Sequence, residues 1–234
     1  MKNLLNLLAI TLLFFATSCQ KEETTPTTFP ENPYNHVGEE HNQMVSNFTQ
    51  THDAQLSNMQ EPMEKEIYIF DNILTENGQD FKKYRDGKAL LQLQSTQTLA
   101  GYDFTNFESI FGTTEMTDSG KTRINNALKK LIEMDGRTPE GLEKVKEEIR
   151  KIEITFIEDF EGTTDFEPAM IYLAVLKHSA QHWTDNPNGG GTPTKAKWWQ
   201  ILLADSAGAV IGGVLGGGTA VPLAAGFSLA VSTG

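Results

Sequence analysis

The chain has 234 residues, 38% of them hydrophobic and 21% charged, which supplies enough apolar material for a globular domain and matches neither a disordered nor a fibrous composition. Its formal charge of −12, from 31 Asp and Glu against 19 Lys and Arg, disfavours nucleic acid and anionic membrane surfaces as partners, because affinity for phosphate comes from an excess of basic side chains. One cysteine excludes an intramolecular disulfide framework and a structural zinc site built from several thiolates.

The first segment reads as an export signal. Lys2 gives a positive start, Leu4 to Phe15 an apolar run interrupted only by Asn6 and Thr11, and Ala16, Thr17 and Ser18 lead into Cys19. The run is too short to span a bilayer and fits a cleaved signal. With the sole thiol at the cut, the segment resembles a bacterial lipoprotein signal in which Cys19 becomes the acylated first residue, although Ala16 stands where Leu is usual. Gln20-Lys21-Glu22-Glu23 then resembles the export tetrad that sends Bacteroidetes lipoproteins to the outer face of the outer membrane. The resemblance implies a diacylglycerol and an N-acyl chain such as palmitate on Cys19. Cleavage removes only Lys2 among the charges, so 31 acids face 18 bases and the mature chain carries −13.

Thr24 to Pro33 reads TTPTTFPENP, whose prolines neither continue a helix nor pair in a sheet. Ten such residues reach about 30 Å at most. Asn32 to Asn42, NPYNHVGEEHN, resembles the start of the folded part in a group of Bacteroidetes surface lipoproteins. That resemblance implies a location and an architecture and carries no reaction.

Helices follow. Pro62 sits at a first helical position, with Met63, Ile67, Phe70, Ile73 and Leu74 on one stripe and Asn77-Gly78 as a stop. A second run covers Lys88 to Ala100 and closes at Gly101. Asp103 caps a short turn carrying Phe104, Phe107, Ile110 and Phe111. Thr117 or Asp118 opens a helix with Ile124, Leu128 and Leu131 inward and Gly136 at its end. Thr138-Pro139 starts the clearest helix: Leu142, Val145, Ile149, Ile152 and Phe156 are spaced three, four, three and four, the seam of a bundle. The charges between them read as a solvated face, and Ile154, Ile157 and Phe160 predict deeper burial toward its end. Asp165 and Pro168 open a helix carrying Ile171, Tyr172, Val175, Leu176, Ser179 and Trp183, before a loop over 185–194. No alternating strand pattern or fixed repeat is present. The fold class is all-α, an antiparallel helical bundle with a glycine-rich hydrophobic C-terminal helix or hairpin. The chain divides into a signal peptide over 1–18, a lipid-anchored Thr/Pro-rich tether over 19–33, a helical body over 34–194 and a Gly/Ala-rich tail over 195–234.

Catalytic signals are sparse. His36 and His41 are five apart, about 140° around a helix, so one regular face cannot offer both to a metal. His178 and His182 are four apart and can share one, but Ser179 stands where an HExxH motif places Glu. They are weak metal candidates. No nucleophile elbow, phosphate loop or dinucleotide fingerprint is present, and an acylated Cys19 is no nucleophile.

The tail is the most unusual stretch. Ser206 to Gly234 is 29 residues without a charge, including eight Gly. Gly208, Gly212 and Gly216 recur every four residues, and Gly213 with Gly217 repeats the spacing, which clears a strip for close helix approach. Each Gly costs about 0.5–1 kcal/mol of helix propensity, so something must compensate. Lipid is one candidate, with Trp198 and Trp199 at the interface; the protein's own bundle is the other. The glycine spacing resembles the zippers of bacterial membrane hairpins and some bacteriocins. Pro222 favours two short helices joined near Gly216-Gly217-Gly218.

These features imply an outer-membrane, surface-exposed lipoprotein acting as a non-enzymatic interaction module, its tail associating with a membrane or an oligomer. Two alternatives stay open: a bacteriocin-like toxin whose tail inserts into a target membrane, and a surface metal binder or hydrolase using His178 and His182. The expected partners are the lipid bilayer, through Cys19 and the tail, and a protein partner or second copy of the chain. No free cofactor is expected.

Overall fold

Asn35–Asn58 forms the first helix, α1, on an inward stripe of Val37, His41, Val45, Phe48, His52 and Leu56. The computed structural model describes residues 30–186 and 194–234, so the signal, Cys19, the tetrad Gln20 to Glu23, most of the tether and loop residues 187–193 lie outside the described residues. Glu31–Gly234 packs as one unit. Among the described residues there are nine α-helices and no strand, an all-α bundle.

Helix α2, Pro62–Glu76, has Pro62 in its first turn and is turned about its axis relative to the expected stripe. Glu66, Ile69, Phe70, Ile73 and Leu74 are buried and Ile67 is 46% exposed. The buried carboxylate of Glu66 sets that rotation: it accepts from Tyr84 Oη at 2.6 Å and from the Leu99 amide at 2.7 Å, and pairs with Lys88 Nζ at 3.3 Å. The same anchor corrects the run expected over Lys88 to Ala100. Helix α3 is Lys82–Leu90 and Leu99–Gly101 is a separate 3-10 turn. Gln92 takes a φ of +58°, while its amide bonds Ala89 O and the Leu93 amide bonds Lys88 O. That left-handed closure ends a helix after Leu90. Lys88 then reaches inward to the Gln97 carbonyl.

Helix α4, Phe107–Gly112, is capped by Asn106, whose side chain accepts from Ser109 N; Asp103 instead closes a turn on the Thr105 amide. Helix α5, Asp118–Leu131, is capped by Thr117. It ends at Leu131 with Ile132 in the cap position, so Gly136 is not its terminus. Gly136 serves the core: a methyl there would lie 2.5 Å from the Trp198 ring. Helix α6, Pro139–Phe160, has its expected cap, Thr138, and buries Leu142, Val145, Ile149, Ile152 and Phe156. Its end is not more deeply buried, because Ile154, Ile157 and Phe160 are only half covered. Helix α7, Phe166–Asp185, is buried without interruption from Ala169 to Leu176. It packs antiparallel to α6, since Lys177 pairs with Glu153 and Gln181 with Lys146.

The tail is a hairpin of α8, Lys195–Leu215, and α9, Ala220–Thr233. Gly216, Gly217 and Gly218 turn the chain with φ of +66°, +66° and +77°, values that favour glycine. Helix α8 is the axis of the bundle, touching α3, α4, α7 and α9, while α9 lies against α1 and α2. Residues Trp198, Trp199 and Ile201 to Gly212 are all buried.

Candidate functional site

Asp205 is the last charge before the uncharged stretch, and α8 carries it into the centre of the bundle with no exposed surface. Two side chains one turn apart on α7 reach it: Ser179 Oγ and Trp183 Nε1, the latter at 3.1 Å, both donate to Oδ2. Helix α1 contributes His41, whose Nε2 lies 3.6 Å from the same oxygen. The Ser228 hydroxyl of α9 lies against the carboxylate without completing a hydrogen bond of good geometry. Four helices thus meet at one carboxyl group.

Hydrogen bonding fixes the imidazole. Asn42 Nδ2 donates to the His178 carbonyl at 2.8 Å, so Asn42 Oδ1 is free to accept from His41 Nδ1 at 3.0 Å. The proton sits on Nδ1, and the bare Nε2 faces Asp205. Burial disfavours charge on both groups. It pushes Asp205 up to about 7 against the hydrogen bonds from Ser179 and Trp183 and the adjacent Ser228 hydroxyl, and pushes His41 down to about 4. Tyr172 is raised by burial and by the Asp205 charge. His178 and His182, half-buried on α7, are lowered chiefly by burial. In slightly acid solution the centre is therefore a neutral imidazole beside a carboxylic acid.

Ser179, His41 and Asp205 are the residue types of a nucleophilic triad, but their connections are different. The serine donates to the carboxylate and the imidazole bonds Asn42, so the imidazole is not the acceptor of the hydroxyl as it is in a triad, and all three side chains are sealed from solvent. The arrangement suits positioning of helices.

Two further polar clusters join distant segments. Glu66, Tyr84 and Lys88 hold the chain before the 3-10 turn. Asn32 is 3% exposed and donates to Glu153 Oε1 at 2.8 Å and to the Met170 carbonyl at 2.9 Å, while Lys177 Nζ pairs with Glu153 at 2.9 Å. The Asn-Pro-Tyr start is thus seated on α6 and α7. Sequence reasoning missed all three clusters. Their signal is a single polar residue at an inward helical register: Glu66 and Asp205 sit among apolar neighbours, and Glu153 follows Ile149 and Ile152.

The expected glycine strip divides. A methyl on Gly208 would lie 2.6 Å from the Leu223 carbonyl, and one on Gly212 2.6 Å from Ala220 Cα; their partners run backward as the helix runs forward, the mark of an antiparallel pair. Gly213 meets nothing, opening instead into a cleft of about 440 Å³ beside Thr113, Thr163, Ile171 and Val214. Gly216 and Gly217 belong to the turn because α8 stops at Leu215. Trp198 and Trp199 do not lie at an outer surface: they are 0% and 4% exposed, with Trp199 Nε1 donating to the Met134 carbonyl at 3.0 Å. His36 is exposed and His41 buried, so the two do not meet. Among the described residues no three His, Cys, Asp or Glu side chains converge as a metal site.

An open cleft of about 620 Å³ runs along α1 from His36 to Thr51, closed by Glu76 and the α8–α9 turn. No protein-family model, curated protein or solved structure matches the chain.

Proposed function

We propose that the protein is a lipid-anchored, surface-exposed lipoprotein of the outer membrane, held by Cys19, whose helical body is a non-enzymatic interaction module. One observation carries this reading: the close-approach strip of the tail is occupied by the chain's own α9, with Leu223 and Ala224 against Gly208 and Thr219 and Ala220 against Gly212. A tail engaged in this way leaves the acyl chains on Cys19 as the attachment. The acidic surface and the cleft along α1, which is lined by Glu40 and Glu76 and by no Lys or Arg, suit a partner protein better than an anionic bilayer. Replacing Cys19 by Ala and following the protein through outer-membrane fractionation, carbonate washing and protease shaving of intact cells tests it. The variant should leave the membrane fraction; retention after carbonate would refute the lipid anchor.

A second reading is supported by α8 itself, which is long and apolar enough to cross a membrane although 78% of its most apolar window is inside the protein. In that reading the hairpin leaves the bundle and inserts into a target membrane. Dye release from liposomes by the mature protein would favour it, and intact liposomes would sink it.

A further inference from the structure

We propose that the side chains of Lys177 and Asn32 join in an intramolecular amide, with Glu153 as the proton carrier and ammonia as the leaving group. The three meet where the start of the folded chain lies on α6 and α7. Asn32 Nδ2 donates to Glu153 Oε1 at 2.8 Å, and Lys177 Nζ donates to that same oxygen at 2.9 Å and to Oε2 at 3.1 Å. One carboxylate oxygen thus holds the amine and the carboxamide side by side. The site is enclosed: Asn32 is 3% and Glu153 4% exposed, and the Lys177 side chain keeps 19% of its surface.

The carboxamide is fixed for attack. Nδ2 also donates to the Met170 carbonyl at 2.9 Å, and Oδ1 accepts from the Tyr34 amide at 2.9 Å. Such bonds lie near the plane of the amide group, so its edges are occupied and a nucleophile reaches Cγ from a face. The Tyr34 N–H polarises the carbonyl and stands where negative charge on Oδ1 develops. Pro33 follows Asn32 and has no backbone N–H, so the chain cannot consume this carboxamide by closing a succinimide on itself.

The step balances without a co-reactant. Lys177 gives one ammonium proton to Glu153, and the freed amine attacks Cγ of Asn32, which places negative charge on Oδ1. Glu153 passes its proton to Nδ2 and takes one from the attacking nitrogen. The Cγ–Nδ2 bond then breaks as the carbonyl reforms, and ammonia leaves. A new Nζ–Cγ amide and a protonated Glu153 remain, so the enclosed carboxylate is neutralised together with the cation that balanced it. Intramolecular placement drives such a reaction, since well-oriented groups reach effective concentrations of about 10⁵–10⁸ M.

Two other lysines show what the site adds. Lys88 pairs with the buried Glu66, but its remaining partners are a phenol and a backbone carbonyl. Lys146 meets both Glu143 and the Gln181 carboxamide, but at the surface, where Glu143 is 72% exposed. Among the described residues, enclosure, carboxylate and carboxamide coincide only at Lys177. The product clamps the end of the tether to α7, so a pull delivered through the tether lands on a covalent bond to the bundle instead of on the end of α1. The bond needs no acylation at Cys19 and stands or falls apart from the lipid anchor.

Intact-mass spectrometry of the detergent-purified protein, with tandem sequencing of its peptides, tests the bond. The wild type should be lighter than its sequence and acyl chains require by about 17 Da, the ammonia lost when the lysine amine is acylated. Its digest should contain a branched peptide joining Asn32 to Lys177. Lys177→Arg keeps a cation opposite Glu153 but has no nucleophilic amine; it and Asn32→Ala should show full masses and no branch. Glu153→Gln removes the proton carrier and should form the branch about 100-fold more slowly or not at all, read as branched fraction against time after a pulse of synthesis. Wild-type protein at full mass with both peptides unbranched overturns the proposal, whether or not the variants fold. An ammonia loss that maps to another asparagine does so too, and a Glu153→Gln protein that crosslinks as fast as wild type overturns the role of Glu153.

Discussion

Substitution of either member of the His41–Asp205 pair should expose a pH dependence that the intact pair conceals. A buried carboxyl with its pKa raised to about 7, against 3.9 in an unfolded chain, adds stability below pH 4 that is lost as the pH rises to 7. The loss is about 1.4 kcal/mol per unit, about 4 kcal/mol in all. A buried imidazole lowered to about 4, against 6.5 unfolded, has the opposite sign: its stability is present above pH 6.5 and lost as the pH falls to 4, about 3 kcal/mol in all. Between pH 4 and 6.5 the two slopes cancel. Each state binds one proton, on Asp205 when folded and on His41 when unfolded. Asp205→Asn leaves the imidazole alone, so its destabilisation relative to wild type, which is the lost carboxyl contribution, should grow as the pH falls from 7 to 4. His41→Gln leaves the carboxyl alone, and its destabilisation relative to wild type, which is the lost imidazole contribution, should grow as the pH rises from 4 to 6.5. Urea titrations read by circular dichroism at half-unit pH steps measure both curves; the surface acids are common to all three proteins and drop out of the differences, whereas His182, which senses the Asp205 and His41 charges, and His178, which senses that of His41, add a smaller change of their own. Parallel, flat differences would refute the neutral pair. Slopes of reversed sign would show that the two groups form an ion pair instead.

Three glycines on α8 should separate by direction. Gly208→Ala and Gly212→Ala drive a methyl into the backbone of α9 and should cost about 1–3 kcal/mol or more, as overpacking does, whereas Gly213→Ala meets nothing and should raise stability by about 0.5–1 kcal/mol in the same urea assay; equal losses at all three would disprove the assigned packing. Lys88→Met removes the cation from the buried Glu66 and should cost about 3–5 kcal/mol. The double variant Lys88→Met/Glu66→Met should recover much of that, read as thermal midpoint, and no recovery would show that the pair does more than neutralise itself.

Helix identity was readable wherever an apolar seam ran unbroken. In α6 the residues Leu142, Val145, Ile149, Ile152 and Phe156, with Thr138 and Pro139 ahead of them, define one face and its start, and that face is the buried one. Helix α1 escaped because its inward stripe passes through His41 and His52, which a hydrophobicity pattern scores as surface. The run over Lys88 to Ala100 misled for the opposite reason: Lys88 has the spacing of a solvated residue, but Glu66, Tyr84 and the Gln97 carbonyl draw it inside. Long-range polar partners decided both cases, and no local window contains them. Asp205 was visible only as the edge of the uncharged tail. Its four-helix setting depends on Ser179, Trp183, His41 and Ser228, which are 22 to 164 residues distant in the chain.

Glycine spacing specifies how near two helices approach, and it is silent about the medium around them. In α8 the medium is the rest of the bundle, and the ends of the hairpin make this plain. Neither α8 nor α9 has a basic residue in its last turn, where the negative end of the helix dipole and its free carbonyls favour a cation. The body supplies them. Lys83 Nζ donates to the Leu215 carbonyl at 2.8 Å and Gln79 Nε2 to the Gly217 carbonyl at 2.8 Å, which closes α8 and its turn. Lys65 Nζ reaches the Thr233 carbonyl at 3.2 Å, and Lys197, from the first turn of α8, reaches that of Val231. The uncharged tail is thus held by charges from helices placed up to 168 residues earlier. Any event that frees the hairpin must break these caps as well as the contacts of Asp205, which ties withdrawal of the tail to rearrangement of α2 and α3.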